Sequence, residues 1–325
     1  MGDSLNSNFV TSSEEREEVL KNYVENQESV PINQVGPKLT EVPKDVKKPW
    51  EKNLPLANQL GWIPLPITNL PTQGLFYHKG TVIVIRSASG GEIRHWSTLQ
   101  EDDLSALDDM LNYVVERCVT IKTEGENAGA VLSWKDIKEV DRFYLLLAIQ
   151  ELTFPKGENK LQVKVSDTKK LDVRKEMVHY ISFEPALMKY YDEDQRSFIL
   201  KFKSGKKLEL NVPSVGVTQW LKQYVIRKQR MQEYIDEDYL NFAPFVITQW
   251  RGLNDDSYLK YVEDSHNWDV MTVSLLVHVK QLFSDTINPV IKYTDEGGME
   301  QSAPLNFQGG IKSLFLISDP FGQLV

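Results

Sequence analysis

Carboxylates are the side chains most densely placed for chemistry in this 325-residue chain. They cluster as Glu101-Asp102-Asp103, Asp108-Asp109, Asp192-Glu193-Asp194, Asp236-Glu237-Asp238 and Asp255-Asp256. Paired acids can cleave a glycosidic bond or hold a divalent ion, but only at a set separation across a cleft and with at least one perturbed pKa. Most of these pairs fall at predicted helix starts, where the helix dipole favours negative charge, so capping is the plainer reading. The five histidines, His78, His95, His179, His266 and His278, are scattered, and a histidine metal site would need distant pieces to converge. The single cysteine, Cys118, forbids an intrachain disulfide and any cysteine-based zinc cluster. Phosphate-loop, dinucleotide-fingerprint, H-E-x-x-H and G-x-S-x-G patterns are all missing from the sequence. The expectation is a chain that is not an enzyme and carries no cofactor and no metal.

Charge placement says more than charge total. The chain has 37 Lys+Arg against 46 Asp+Glu, a net charge of -9 that argues against coating nucleic acid. Between Arg196 and Glu233, however, nine basic residues face two acidic ones, a local +7, while Tyr234 to Val270 carries eight acidic and two basic residues, a local -6. The basic 196–230 face, with Lys206 and Lys207 at its hairpin tip, suits either a nucleic-acid surface or a charge-complementary contact with another subunit or with the acidic stretch. Phe198, Phe202, Trp220 and Tyr224 fall at core spacing rather than as a stacking platform, which favours protein contact.

The elements that would position these groups read as α+β: a helical N-terminal half of the body, central antiparallel strands with a hairpin, and a helical C-terminal part. Thr81–Arg86 (TVIVIR) is a β-branched strand. Thr98-x-x-Glu101 has the form of a capping box for an amphipathic helix carrying Leu104, Leu107, Leu111 and Cys118, which makes Cys118 a core thiol. Ser133-x-x-Asp136 starts a second helix, apolar nearly all round, through Ile137, Val140, Phe143, Tyr144, Leu147 and Leu152, and Pro155-Lys156-Gly157 ends it. LQVKV at 161–165 and MVHYISF at 177–183 read as strands, and FILKFKSGKKLELNV as a hairpin turning at Ser204-Gly205. A long helix follows Pro213 through Tyr234. Further helices are expected at about 238–250, 256–266 and 268–284, then a hairpin over PVIKYTDEGGMEQSAPLNF. Gly309 and Gly310 permit a turn before IKSLFLISDPF, which either seals the core or inserts into a partner with Phe315 and Phe321.

Residues 1–69 read as an extended docking arm. Residues 11–28 suit a short charged helix, and Pro31, Pro37, Pro43, Pro49, Pro55, Pro64, Pro66 and Pro71 then favour an extended chain over a helix or central strand. Trp50, Leu54, Leu60, Trp62 and Ile63 are candidate anchors in a neighbouring subunit's groove; an idle linker is the alternative. The body divides as 70–157 (strand plus two helices), 158–212 (antiparallel β) and 213–325 (helices, hairpin and closing segment). The longest apolar runs, such as Leu145 to Ile149, fall far short of the roughly 20 residues that cross a bilayer. The polar, acidic N-terminus is unlike a signal peptide, so a reducing cytoplasm is expected.

The stretch LPTQGLFYHKGTVIVIRSASGGEIRHWST, the helix ending VVERCV and LSWKDIKEVDRFYLLLAIQELTF resemble the baseplate hub protein family of T-even-type contractile-tailed bacteriophages. In that family a Leu-Pro-x-x-Gly-x-x-Tyr turn precedes a short strand, then a helix closing near a cysteine, then an Asp-initiated packing helix. Leu70, Pro71, Gly74, Tyr77, Arg86, Cys118, Asp136, Asp141 and Leu146 fit that order, with Pro71, Gly74 and Tyr77 as turn residues. The similarity covers about 70–154 and, more weakly, the closing FQGGIKSLFLISDPFGQL. The resemblance implies a structural protein of the viral tail baseplate, made in host cytoplasm and built into the virion, whose partners are other tail proteins in a symmetric assembly. A non-virion assembly chaperone, a nucleic-acid-binding protein using 196–230 and a wall-degrading tail hydrolase are the alternatives.

Overall fold

In the computed structural model of the chain, the described residues are 61–316, apart from 101, 125–131, 156–158, 166–168, 179–182, 184, 202–206, 288–289, 296, 305–306 and 308–309. All belong to one unit spanning Leu56–Val325. Its architecture is mixed α+β, with several small antiparallel sheets among helices.

Strands β1 (Ile63–Leu65) and β2 (Thr81–Ile85) pair antiparallel, although residues 63–65 fall within the expected arm. The register explains how two prolines coexist with a strand. Ile63 and Leu65 lie opposite Ile85 and Ile83, while Arg86 N–H donates to Cys118 O across the other edge of β2. The ladder therefore leaves Pro64 and Pro66 at positions whose missing N–H would point away from β2, where an edge strand tolerates proline. Helices α1 (Gly90–Trp96) and α2 (Leu104–Cys118) follow. The capping box belongs to α1, with Ser89 and Glu92 exchanging side-chain and backbone bonds. Helix α2 starts instead on Asp103, whose carboxylate accepts from Ser105 N and Ala106 N, and Thr98 Oγ1 bonds back to His95 O behind α1. Helix α2 runs directly into β3 (Val119–Thr123), which pairs with β2.

Ser133 and Asp136 do form a capping box, but it closes a 3-10 turn at Trp134–Asp136, and α3 proper spans Glu139–Thr153. Strands β4 (Gln162–Lys164) and β5 (Lys170–Asp172) form a small hairpin. The expected strand at 177–183 is reduced: Lys175–Met177 is a 3-10 turn, Val178 makes one bridge to Ile291, and 179–182 lie outside the described residues. After the single turn α4 (Pro185–Met188), strands β6 (Tyr191–Asp192), β7 (Ser197–Lys201) and β8 (Lys207–Leu210) make a three-stranded sheet that contains the expected hairpin. Helix α5 (Val215–Met231) ends where Gln232 turns left-handed (φ 56), short of Tyr234. The 238–250 stretch resolves into two single turns, α6 (Glu237–Leu240) and α7 (Ala243–Val246), followed by α8 (Asp255–Ser265) and α9 (Val270–Ile287). Strands β9 (Val290–Thr294) and β10 (Glu300–Pro304) form the expected hairpin.

Two apolar clusters form the interior. The first packs Ile83, Ile85, Val114, Cys118 and Ile121 against Tyr144 to Ile149 of α3, with Val163, Ile291 and Phe315. The second packs Phe76 and Val140 against Phe198, Leu210, Val217, Leu221, Tyr224, Tyr258, Leu276 and Val279. Helix α3 contributes to both, which explains why its apolar residues nearly encircle it.

Candidate interaction surfaces and the buried joint

The turn that carries the family resemblance folds onto the start of α3. Gln73 (φ 54) and Gly74 (φ 76) are both left-handed, and a Cβ on Gly74 would meet Ile67 Cγ1 at 2.9 Å, so glycine is needed there. That turn aims Thr72 and Tyr77 at Asp141, which is fully buried. Asp141 accepts from Thr72 N (2.9 Å), Thr72 Oγ1 (2.7 Å) and Tyr77 OH (2.7 Å). Lys138 N–H donates to Tyr77 OH at 3.0 Å, and Lys138 Nζ donates to Asn211 Oδ1 at 3.1 Å. Burial pushes the Asp141 carboxyl up to about 6 against its three donors, and burial pulls the Lys138 ammonium down to about 8. Backbone bonds from Glu139 N to Pro213 O and from Val215 N to Ile137 O tie the same point to the start of α5. The group therefore sits where the turn, α3 and α5 meet. Pro71, Gly74 and Tyr77 act there as the expected turn; Thr72, Lys138 and Asn211 gave no signal in the sequence, since their partners lie 61 to 73 positions away.

A second charged group involves the expected core cysteine. Arg86 grips Glu92 through both guanidinium nitrogens (2.9 and 2.5 Å), and Cys118 Sγ lies 3.7 Å from Glu92 Oε2. Burial pushes the Cys118 thiol up to about 12, far from a reactive thiolate.

Three cations of the basic segment, Lys222, Arg227 and Lys228, pair within the chain. Lys222 bonds Asp108 and Asp109 (3.2 and 3.3 Å), Arg142 bonds Asp108 and Glu139 (2.5 and 2.7 Å), Arg227 pairs with Asp255, and Lys228 pairs with Glu233 and Asp255. Arg227 and Lys228 of α5 thus pair with Asp255 of the acidic stretch and Lys222 with α2, which takes those three cations out of a phosphate-binding reading of that helix. Trp220 and Tyr224 stack on each other and pack tilted against Tyr258 at the second cluster. The acids are also accounted for locally: Asp103 and Asp236 cap helices, Asp192 caps a turn, and Asp255 and Asp256 open α8. Among the described residues no group of three or more His, Cys, Asp or Glu side chains could hold a metal ion. No described helix is long and apolar enough to cross a membrane.

The candidate partner-binding residues are dispersed. Trp62 lies under the Arg86 guanidinium (5.6 Å to the ring centre), and Ile63 pairs with Ile85, so Ile63 belongs to the body's first sheet and Trp62 packs beside it rather than standing as a separate anchor. Phe315 is 1% exposed, edge-on to Trp96 at 5.0 Å, and Trp96 Nε1 donates to Lys312 O at 3.0 Å. The 311–316 part of the closing segment therefore seals the core, and Phe315 is unavailable to a partner. Gly310 (φ 74) supplies the turn before it. Lys207 is exposed opposite Lys201 at the end of the β7–β8 hairpin. Trp50, Leu54, Lys206, Gly309 and Phe321 lie outside the described residues.

A surface that the sequence reading did not single out lies on α9. Thr272, Leu276 and Val279 face inward and are no more than 2% exposed, whereas Val270, Met271, Val273 and Val277 are 80, 76, 38 and 52% exposed. A helix apolar on both faces reads simply as buried, so periodicity alone could not reveal the outward stripe. Comparison of the chain with protein-family models, curated proteins and solved structures finds no match.

Proposed function

We propose that this chain is a structural component of a bacteriophage tail baseplate, a hub subunit or an adjoining part, that acts through protein contacts during tail assembly rather than by catalysis. The observation that carries the reading is the convergence of the family-like motif on one point. Tyr77, at the end of the turn that Gly74 makes possible, meets Asp141 of the packing helix, 64 positions away, through a 2.7 Å bond. Motif residues that assemble into one joint have the character of a fold module rather than a chance pattern. The outward apolar stripe of α9 adds support, since an assembly part needs contact surface beyond its own core. In this reading residues 1–60 supply a further docking element, with Trp50 and Leu54 as anchors.

Quantitative mass spectrometry of purified tailed particles tests the proposal. A fixed copy number per particle is expected. Abundance in the infected lysate with absence from particles would move the assignment to an assembly chaperone, and absence from both tails and their assembly intermediates would overturn it.

A further inference from the structure

We infer that residues 310–316 form a strap that opens as a unit while the rest of the body stays folded. The inference does not rest on the baseplate reading. In the closed state Leu314 and Phe315 complete the first apolar cluster, and Ser313 between Lys312 and Leu314 is buried with them. No ladder secures that burial. The amides of Gly310, Ser313, Phe315 and Leu316 donate to the carbonyls of Phe307, Gly310 and Lys312, all within or just before the segment. The Ser313 hydroxyl turns back in the same way, to Gly310 O at 2.7 Å. A turn whose amides are satisfied locally can undock without breaking a backbone bond of those amides to the body.

Two side chains of the body hold the strap instead. Trp96 Nε1 donates to Lys312 O at 3.0 Å and Asn159 Nδ2 to Ser313 O at 2.7 Å, across 216 and 154 positions. Both donors are placed by other parts of the body: Trp96 ends α1, and Gln150 Nε2 of α3 donates to Asn159 O at 2.8 Å. Gly310 (φ 74) stands at the pivot, in a conformation that other residues rarely adopt. Opening therefore gives up two side-chain bonds and the burial of two apolar residues, and it leaves the helices and sheet ladders in place. Such an opening costs less than global unfolding, the condition for a separately opening unit. Closed, the strap seals the core; open, it presents Leu314 and Phe315 to solvent beyond the glycine pivot.

Native-state hydrogen exchange of the full chain at low urea concentrations, read at single amides, tests this. A free turn of this length is only marginally stable, so its amides exchange once it undocks. The Ser313, Phe315 and Leu316 amides should exchange at least about tenfold faster than those of Leu145 to Ile149 in α3, with a shallower urea dependence because less surface is exposed. The Trp96 indole N–H should exchange with the strap. Gly216→Ala, which strains the second cluster, should speed exchange in α3 and leave the strap rates unchanged. Strap amides that follow α3 in rate and urea dependence, a Trp96 indole that follows α3 instead of the strap, or parallel acceleration of strap and α3 in Gly216→Ala would each overturn the inference.

Discussion

The start of α3 and the outer face of α9 invert the usual distribution of polar and apolar groups in opposite ways. At α3, a carboxylate and an ammonium are buried among apolar clusters; at α9, four large apolar side chains stand in water. The first inversion is satisfied within the chain, since both Asp141 oxygens and the Lys138 ammonium have partners. The second has no counterpart among the described residues. Buried polar groups and exposed apolar patches are the informative departures from the inside–outside rule, and here the satisfied one explains the fold while the unsatisfied one points outward.

The largest effect expected comes from breaking the satisfied inversion. Asp141→Ala would leave Thr72 N–H, the Thr72 hydroxyl and the Tyr77 hydroxyl without their acceptor, destabilising the chain by about 3 kcal/mol or more, read from the urea midpoint. Next is Gly216→Ala at the start of α5. A Cβ there would sit 2.4 Å from Trp250 Cγ, and Trp250 is fixed by its Nε1 bond to Asp136 (2.8 Å), so about 1–3 kcal/mol of overpacking is expected in the same assay.

The pH dependence sharpens the contrast, because the joint holds two buried groups whose pKa values are shifted by burial. The folded Asp141 pKa is raised, so the folded state holds its proton more tightly than the unfolded state. Its effect is a fall in stability as pH climbs from near the unfolded value of about 3.9 to about 6. The folded Lys138 pKa is lowered, so its effect is a rise in stability between about 8 and the unfolded value of about 10.4. Asp141→Asn should flatten the acid step and Lys138→Met the alkaline one in unfolding curves recorded across pH. The smallest effect is expected on α9: Val270→Ser with Val277→Ser should change the urea midpoint of the monomer by no more than about 0.5 kcal/mol equivalent, because those side chains are already wet.

Long periodic elements were legible in the sequence. The α2, α3 and α5 helices, the β7–β8 and β9–β10 hairpins and the buried role of Cys118 all follow from period and turn chemistry. What was not legible depended on competition or on tertiary partners. Thr98-x-x-Glu101 resembled a cap, but Asp103 reaches the first free amides of α2 and wins. The short α1 hid behind its two leading glycines. Pro64 and Pro66 argued against a strand at 63–65, yet both fall on the free edge, where proline removes no ladder bond. At the joint, Tyr77 and Asp141 entered only through the resemblance, and the outward stripe of α9 was masked by its equally apolar inner face.

The Asp141 joint sits on α3 between the two apolar clusters and couples them. Hydrogen exchange followed by mass spectrometry on Asp141→Ala tests it most directly. Protection should fall together in β2 and α2, on the first cluster, and in α5, on the second. Loss confined to the 70–77 turn, with both clusters protected as in the native chain, would contradict it.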